Sequence, residues 1–200
     1  MSATVDRLNL RRDDPYCLFA GTQHPHKRLP WLLDVPGSIR RELAARAKLL
    51  VTGKHQEDDW RQENLARGRG PEGVVVFNGE VSDHELACLY SGARVLVVKS
   101  VDEGFCLPAL EALCCGCEVI APDLPVMFET TNGRGHFYPP DDAGRLSLYL
   151  MEAFGGGLPL KARGFRSRFS WEASAGRLSD ALLGALNMPP NLWPRLRREG

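Results

Sequence analysis

Short apolar, β-branched runs recur along the chain at residues 16–20, 49–52, 74–77, 95–98 and 119–121, each followed by a glycine or polar turn and then a helix-like stretch. None alternates cleanly between polar and apolar positions. Strands of that kind are buried on both faces, as in a parallel sheet covered by helices. The pattern therefore predicts a doubly wound α/β domain, with ligands expected beyond the carboxyl ends of its strands.

Helix signals fill the intervals. Ser82-Asp-His-Glu85 reads as a capping box, and Leu86, Leu89 and Tyr90 follow on one face, which predicts a helix over 83–91. Pro108 suits the first turn of another helix, which Gly116 can end in a left-handed conformation. Glu103 then falls in a loop and Glu111 on the helix. Pro140-Asp-Asp142 opens a third helix carrying Leu146, Leu148, Leu150 and Met151 and stopping at Gly155-Gly-Gly157. Ser170 caps a last amphipathic helix with Leu178, Ala181, Leu182 and Leu186 along it. The expected domain spans 15–186, between a loose segment at 1–14 and a loose basic tail at 187–200 that holds Arg195, Arg197 and Arg198.

Composition narrows the function classes. The chain has 200 residues, with 25 Lys and Arg against 25 Asp and Glu, so no general attraction to nucleic acid or anionic lipid is expected. No secretory leader or membrane-length apolar run is legible, and a cytoplasmic protein is expected. Six cysteines are present. Cys114-Cys115-Gly-Cys117 invites a metal reading, but no second ligand pair at matching spacing accompanies it, so reduced, mostly buried thiols and no metal are expected.

Three loops at predicted strand ends carry candidate chemistry. Gly21-Thr-Gln-His-Pro-His-Lys27-Arg28 offers a glycine for close backbone approach and two cations for a diphosphate; a solvated Lys-Arg doublet is the alternative. Glu103-Gly-Phe-Cys-Leu-Pro-Ala-Leu-Glu111 offers a loop carboxylate for sugar hydroxyls, amides at Gly104, Phe105 and Cys106 read as the first turn of the helix, and a second carboxylate that could bridge a ribose diol. Ordinary acids near a helix start are the alternative there. Asn78-Gly79-Glu80-Val81-Ser82 could clasp a base edge with its backbone, or be a plain strand-to-helix turn.

Taken in order, these pieces resemble the C-terminal domain of retaining glycosyltransferases with two facing Rossmann-like domains (the GT-B fold), particularly family 4, also called group 1. The resemblance runs from about Tyr16 to Leu183. It is carried by Leu18-Phe-Ala-Gly-Thr22, Pro25-His-Lys-Arg28, Val76-Phe-Asn-Gly-Glu-Val-Ser-Asp-His-Glu-Leu86, the two glutamates with seven residues between them inside Glu-Gly-Phe-x-Leu-Pro, Glu111-Ala-Leu-Cys-Cys-Gly116, Glu129, Pro140-Asp-Asp142 and Phe169-Ser-Trp171.

The resemblance implies binding of a nucleotide sugar, UDP- or GDP-linked, and sugar transfer with retention, without a metal or other cofactor. Lys27 matches the diphosphate contact and Glu103 the acid near the donor sugar, and these two are the implied catalytic residues. Gly104 and Phe105 match the loop that touches sugar and phosphate, and Glu111 the ribose contact. Gly79, Val81 and Ser82 fall in the stretch that holds the base, and Gly21, Thr22, Arg28, Cys106 and Leu107 complete the implied donor site. Departures are also plain. Thr22 and His26 stand where arginines are common, Cys106 puts a side chain where glycine is usual, and Lys99 replaces a proline at a strand end. A lysine there is either exposed or a substitute cation.

Such proteins place an acceptor-binding domain first, so an acceptor domain on another chain is expected as partner, with the isolated chain binding donor and transferring little. The helix after Ser170 is expected to leave apolar surface uncovered. A non-catalytic nucleotide-sugar sensor or scaffold is the alternative. A flavodoxin-like interaction module would need acids at the first strand end that are not evident.

Overall fold

The computed structural model describes residues 15–22, 24–33, 48–54 and 75–186. The expected loose ends at 1–14 and 187–200, and Val74 of the third apolar run, lie outside the described residues. The chain divides into two compact units between Phe165 and Arg166.

In the first unit, six strands form one parallel sheet: β1 (Tyr16–Ala20), β2 (Lys48–Thr52), β3 (Val75–Gly79), β4 (Val95–Val97), β5 (Glu118–Pro122) and β6 (His136–Tyr138), in the order β3-β2-β1-β4-β5-β6. Alternate strand residues enter opposite cores because side chains alternate across a strand. Leu18, Leu96 and Val119 pack on one face with Leu89, Ala112 and Leu113, while Phe19, Val97 and Ile120 pack on the other with Leu29, Leu146 and Leu150. Helices thus cover both faces, and the doubly wound, Rossmann-like α/β reading holds.

The helices are α1 (Leu29–Leu33), preceded by a 3-10 turn at Pro25–Lys27, α2 (Asp83–Gly92), α3 (Leu107–Cys114), α4 (Pro125–Thr131) and α5 (Ala143–Gly155). The capping box on α2 is complete: Ser82 accepts from the Glu85 amide, and Glu85 accepts from the Ser82 amide at 2.9 Å. Asp142 caps α5, and Gly156 ends it at φ 81°. Three elements depart from the sequence-based reading. β3 runs on to Gly79, which pairs with Thr52. β6 and α4 carried no recognised signal: β6 has three residues and opens on a histidine, and α4 begins without a side-chain cap.

In the second unit, α6 (Trp171–Leu186) opens on Ser170, whose hydroxyl accepts from the Ala173 amide at 3.1 Å. Leu178, Leu182 and Leu186 are spaced one helical turn apart along it.

Candidate functional site

The sheet order reverses between β1 and β4, so the loops leaving these two strands diverge and open a crevice at the carboxyl edge, where open α/β sheets take ligands. The first and second candidate loops border it. Their backbones are joined by the Val101 amide donating to the His26 carbonyl at 3.0 Å. The ends of β1, β2 and β3 are levelled by Gly21 N–H to Thr52 O at 3.0 Å and Gly53 N–H to Gly79 O at 2.9 Å. Gly53 has to be glycine: at φ 137° a Cβ would lie 2.1 Å from the Gly21 oxygen.

Two charge clusters occupy the crevice. In the first, the Lys27 ammonium pairs directly with Glu103 Oε1, and the buried Ser100 hydroxyl donates to the same oxygen at 2.6 Å. Glu103 Oε2 has no partner among the described residues. Lys27 and Glu103, separated by 75 residues of chain, thus meet and neutralise each other. In the second, Asp141 receives both Arg28 and Lys99, the latter at 3.2 Å. Lys99 is fully buried, and its ammonium also lies 4.2 Å from the centre of the Trp31 ring. The exposed-lysine reading is therefore corrected: a buried ammonium needs a counter-charge, and Asp141, from the loop after β6, supplies it. The hydrogen bond from Lys99 foremost, then the charges of Lys99 and Arg28, hold the Asp141 carboxyl below its ordinary range.

The loop that leads from Glu103 into α3 is held in two ways. The buried Thr130 hydroxyl on α4 donates to the Phe105 carbonyl. Cys106 is the N-cap of α3, at φ 62° and ψ 61°, a left-handed conformation that explains why glycine suits this position. Two expectations change here. The helix starts at Leu107, so Gly104, Phe105 and Cys106 precede its first turn, and Pro108 brings no N–H to it. The Cys106 thiol is buried among core residues including Leu89, Tyr90 and Ala109, so its side chain faces the core. Burial pushes that thiol up to about 11, foremost over the opposing effect of the Ala109 amide.

Glu111 emerges one turn into α3, exposed, with its Oε2 accepting from the Tyr90 hydroxyl at 3.1 Å. Gly79, Val81 and Ser82 leave β3, two strand spacings or about 10 Å from β1, and no side-chain contact joins them to the Lys27–Glu103 pair among the described residues. Thr22 and Gly21 follow β1 directly, and Leu107 is exposed at the start of α3. Thr130, Tyr90 and Asp141 escaped the sequence reading as site residues because each acts through a partner distant in the chain, and Ser100 escaped it beside them. Only the position of Ser100 three residues before Glu103 was a local signal. No cluster of three or more His, Cys, Asp or Glu side chains gathers among the described residues, and none of their helices is long and apolar enough to cross a membrane.

The profile of the family described as "Glycosyl transferases group 1" matches residues 3–155. The chain belongs to this family. Among relatives of this group 1 chain, the O-antigen chain mannosyltransferase RfbU of Salmonella typhimurium is 44% identical over 137 residues, which cover 68% of this chain and 38% of that protein. O-antigen chain mannosyltransferase B of Escherichia coli is 32% identical over 139 residues, covering 69% and 36%. Among solved structures, sucrose-phosphate synthase from Thermosynechococcus elongatus superposes with a TM-score of 0.73 at 28% identity, covering 92% of this chain and 49% of that one. The group 1 chain therefore spans less than half the length of each of these proteins.

Proposed function

We propose that the first unit is the donor-binding half of a retaining family 4 glycosyltransferase and takes a nucleoside diphosphate sugar, UDP- or GDP-linked, into the crevice between β1 and β4. The observation that carries this reading is the pairing of Lys27 with Glu103 at the point where the sheet order reverses. A cation for a diphosphate and a carboxylate for a sugar stand in contact there, each able to exchange the other for donor.

On donor binding, Lys27 turns from Glu103 to a phosphate oxygen, and Arg28 and the loop amides of Gly104 and Phe105 add donors. Glu103 accepts from a sugar hydroxyl, Glu111 from the ribose, and the backbone of 79–82 borders the base. In transfer, the bond between the anomeric carbon and the diphosphate oxygen breaks, with its electron pair leaving on the diphosphate. The acceptor oxygen bonds on the face that the diphosphate leaves, and its proton passes to the departing phosphate. Lys27 offsets the growing charge with no metal required. The acceptor is held by a further domain. Free cysteines accord with a reducing, cytoplasmic setting.

Calorimetric titration with UDP-, GDP- and ADP-sugars tests the reading. One of them is expected to bind, with Lys27→Met weakening it at least about tenfold, or ~1.4 kcal/mol. Equal affinity in Lys27→Met and the unaltered chain would remove Lys27 from the site.

A further inference from the structure

The two glutamates are anchored alike. Each has one carboxylate oxygen engaged by a hydroxyl from a buried side chain, Ser100 on Glu103 and Tyr90 on Glu111. Each has its second oxygen without a partner among the described residues. For Glu103 the anchor lies within the same loop. For Glu111 it comes from a different helix, 21 residues earlier in the chain.

Tyr90 is among the largest fully buried side chains, 1% exposed, packed in the core with Leu89, Ala109 and Ala112. Its ring is fixed, and its hydroxyl is the one polar atom it brings to the underside of α3. Burial foremost, then the charge of Glu111, push this hydroxyl well above its usual range, which favours its protonated, donating form. A surface glutamate ordinarily samples several rotamers and loses that freedom on binding a ligand. The bond from Tyr90 removes much of that freedom beforehand, which is the physical content of preorganisation.

We propose that Tyr90 is a positioning residue for nucleotide recognition: its buried hydroxyl holds Glu111 by one oxygen so that the other meets the ribose hydroxyls of a nucleoside diphosphate. The proposal rests on the reading of Glu111 as the ribose contact. Tyr90 touches no ligand, and its contribution depends wholly on Glu111 and on the ribose.

The test is the ribose preference, the ratio of dissociation constants for 2′,3′-dideoxy and ordinary nucleoside diphosphates. UDP, GDP and ADP and their dideoxy forms are titrated calorimetrically into the full chain, its Tyr90→Phe, Glu111→Ala and doubly substituted variants, with melting temperatures read alongside. Tyr90→Phe is expected to weaken the preferred ribonucleotide about three- to tenfold, the range of one ordinary hydrogen bond's net contribution, and to leave its dideoxy form unchanged. Glu111→Ala is expected to bring the ratio to about one, and Tyr90→Phe to add nothing on that background.

A Tyr90→Phe variant that weakens both forms equally, or neither, while Glu111→Ala abolishes the preference, overturns the positioning role and leaves Glu111 as the ribose contact. If Glu111→Ala keeps the preference, the ribose reading fails and the proposal with it. Binding of no nucleotide would overturn both. Replacement of Tyr90 by 3-fluorotyrosine, which keeps ring and hydroxyl and sharpens the donor, guards against a folding defect in Tyr90→Phe. It is expected to hold or raise the ratio, and a fall would count against the proposal.

Discussion

Cys106 offers a sharp test of how the loop after Glu103 joins α3. Its backbone lies at φ 62° and ψ 61°, and its thiol is buried in the core at 4% exposure. A side chain in the left-handed region costs about 1–2 kcal/mol. Cys106→Gly relieves that strain, but glycine has the freer unfolded chain, which costs about 0.5–1 kcal/mol, and the lost thiol removes about 1 kcal/mol of burial. The three effects nearly cancel, so Cys106→Gly should stay within about 1 kcal/mol of the parent chain. Cys106→Ala loses the thiol and keeps the strain. It should therefore be the less stable of the two, by about 1 kcal/mol, which is roughly 2–4 °C in melting temperature for a chain of this length. At an ordinary buried helix position the order is the reverse. Urea unfolding of both variants followed by circular dichroism measures the difference. Finding Cys106→Ala as stable as Cys106→Gly, or more so, would refute the left-handed cap and the constraint it places on the loop after Glu103.

Other predictions follow from the buried charges. Glu118 accepts from His136 at 3.1 Å and from the Lys161 and Ala162 amides at 3.0 and 2.9 Å. Burial pushes its carboxyl up, but the His136 bond and these amides prevail and hold it below 4.5. Its contribution is thus complete above pH 4.5 and lost as pH falls through the lowered folded value. Glu118→Ala should cost about 3 kcal/mol at pH 7, through the buried Ala162 amide and the half-buried Lys161 amide left without acceptors, and should flatten the acid limb of a stability-against-pH curve. A parallel acid limb in Glu118→Ala would show that the carboxylate is not the titrating group. Lys99→Met removes a buried ammonium and leaves the exposed Asp141 hydrated, so urea unfolding should find the fold no weaker. Its nucleotide affinity should fall by a few-fold as Arg28 loses a fixed partner, and unchanged affinity would remove this second cluster from the site. Under native conditions iodoacetamide should reach the exposed Cys114 well before the buried Cys17, Cys106 and Cys117, which mass spectrometry of the timed reaction can follow. Early labelling of Cys106 would contradict its burial.

The parts of the fold that could be read from the chain are those whose signals are local. Leu18 lies between Cys17 and Phe19 with all three buried on a two-faced strand, so the run itself announces a covered parallel sheet. Ser82 and Glu85 are three residues apart, and their capping box is complete in the structure. β6 escaped because His136 is polar, and its burial depends on Glu118, 18 residues away. The site divides in the same way. Glu103 and Glu111 stand out through their spacing, whereas what holds them does not. Lys99 looks like a surface residue until Asp141, 42 residues later, is brought beside it by the topology. Tyr90 looks like an ordinary core aromatic, and only the packing of α2 on α3 reveals what its hydroxyl donates to.

The central claim, that the crevice between β1 and β4 receives a nucleoside diphosphate, is tested most directly by titrating the isotopically labelled chain with UDP and GDP and following its amide resonances. The account predicts saturable shifts concentrated at Gly21, Thr22, Lys27, Gly104 and Phe105, with a second group around Gly79, Val81 and Glu111. Saturable shifts confined to other parts of the sheet, or none at millimolar nucleotide, would contradict it.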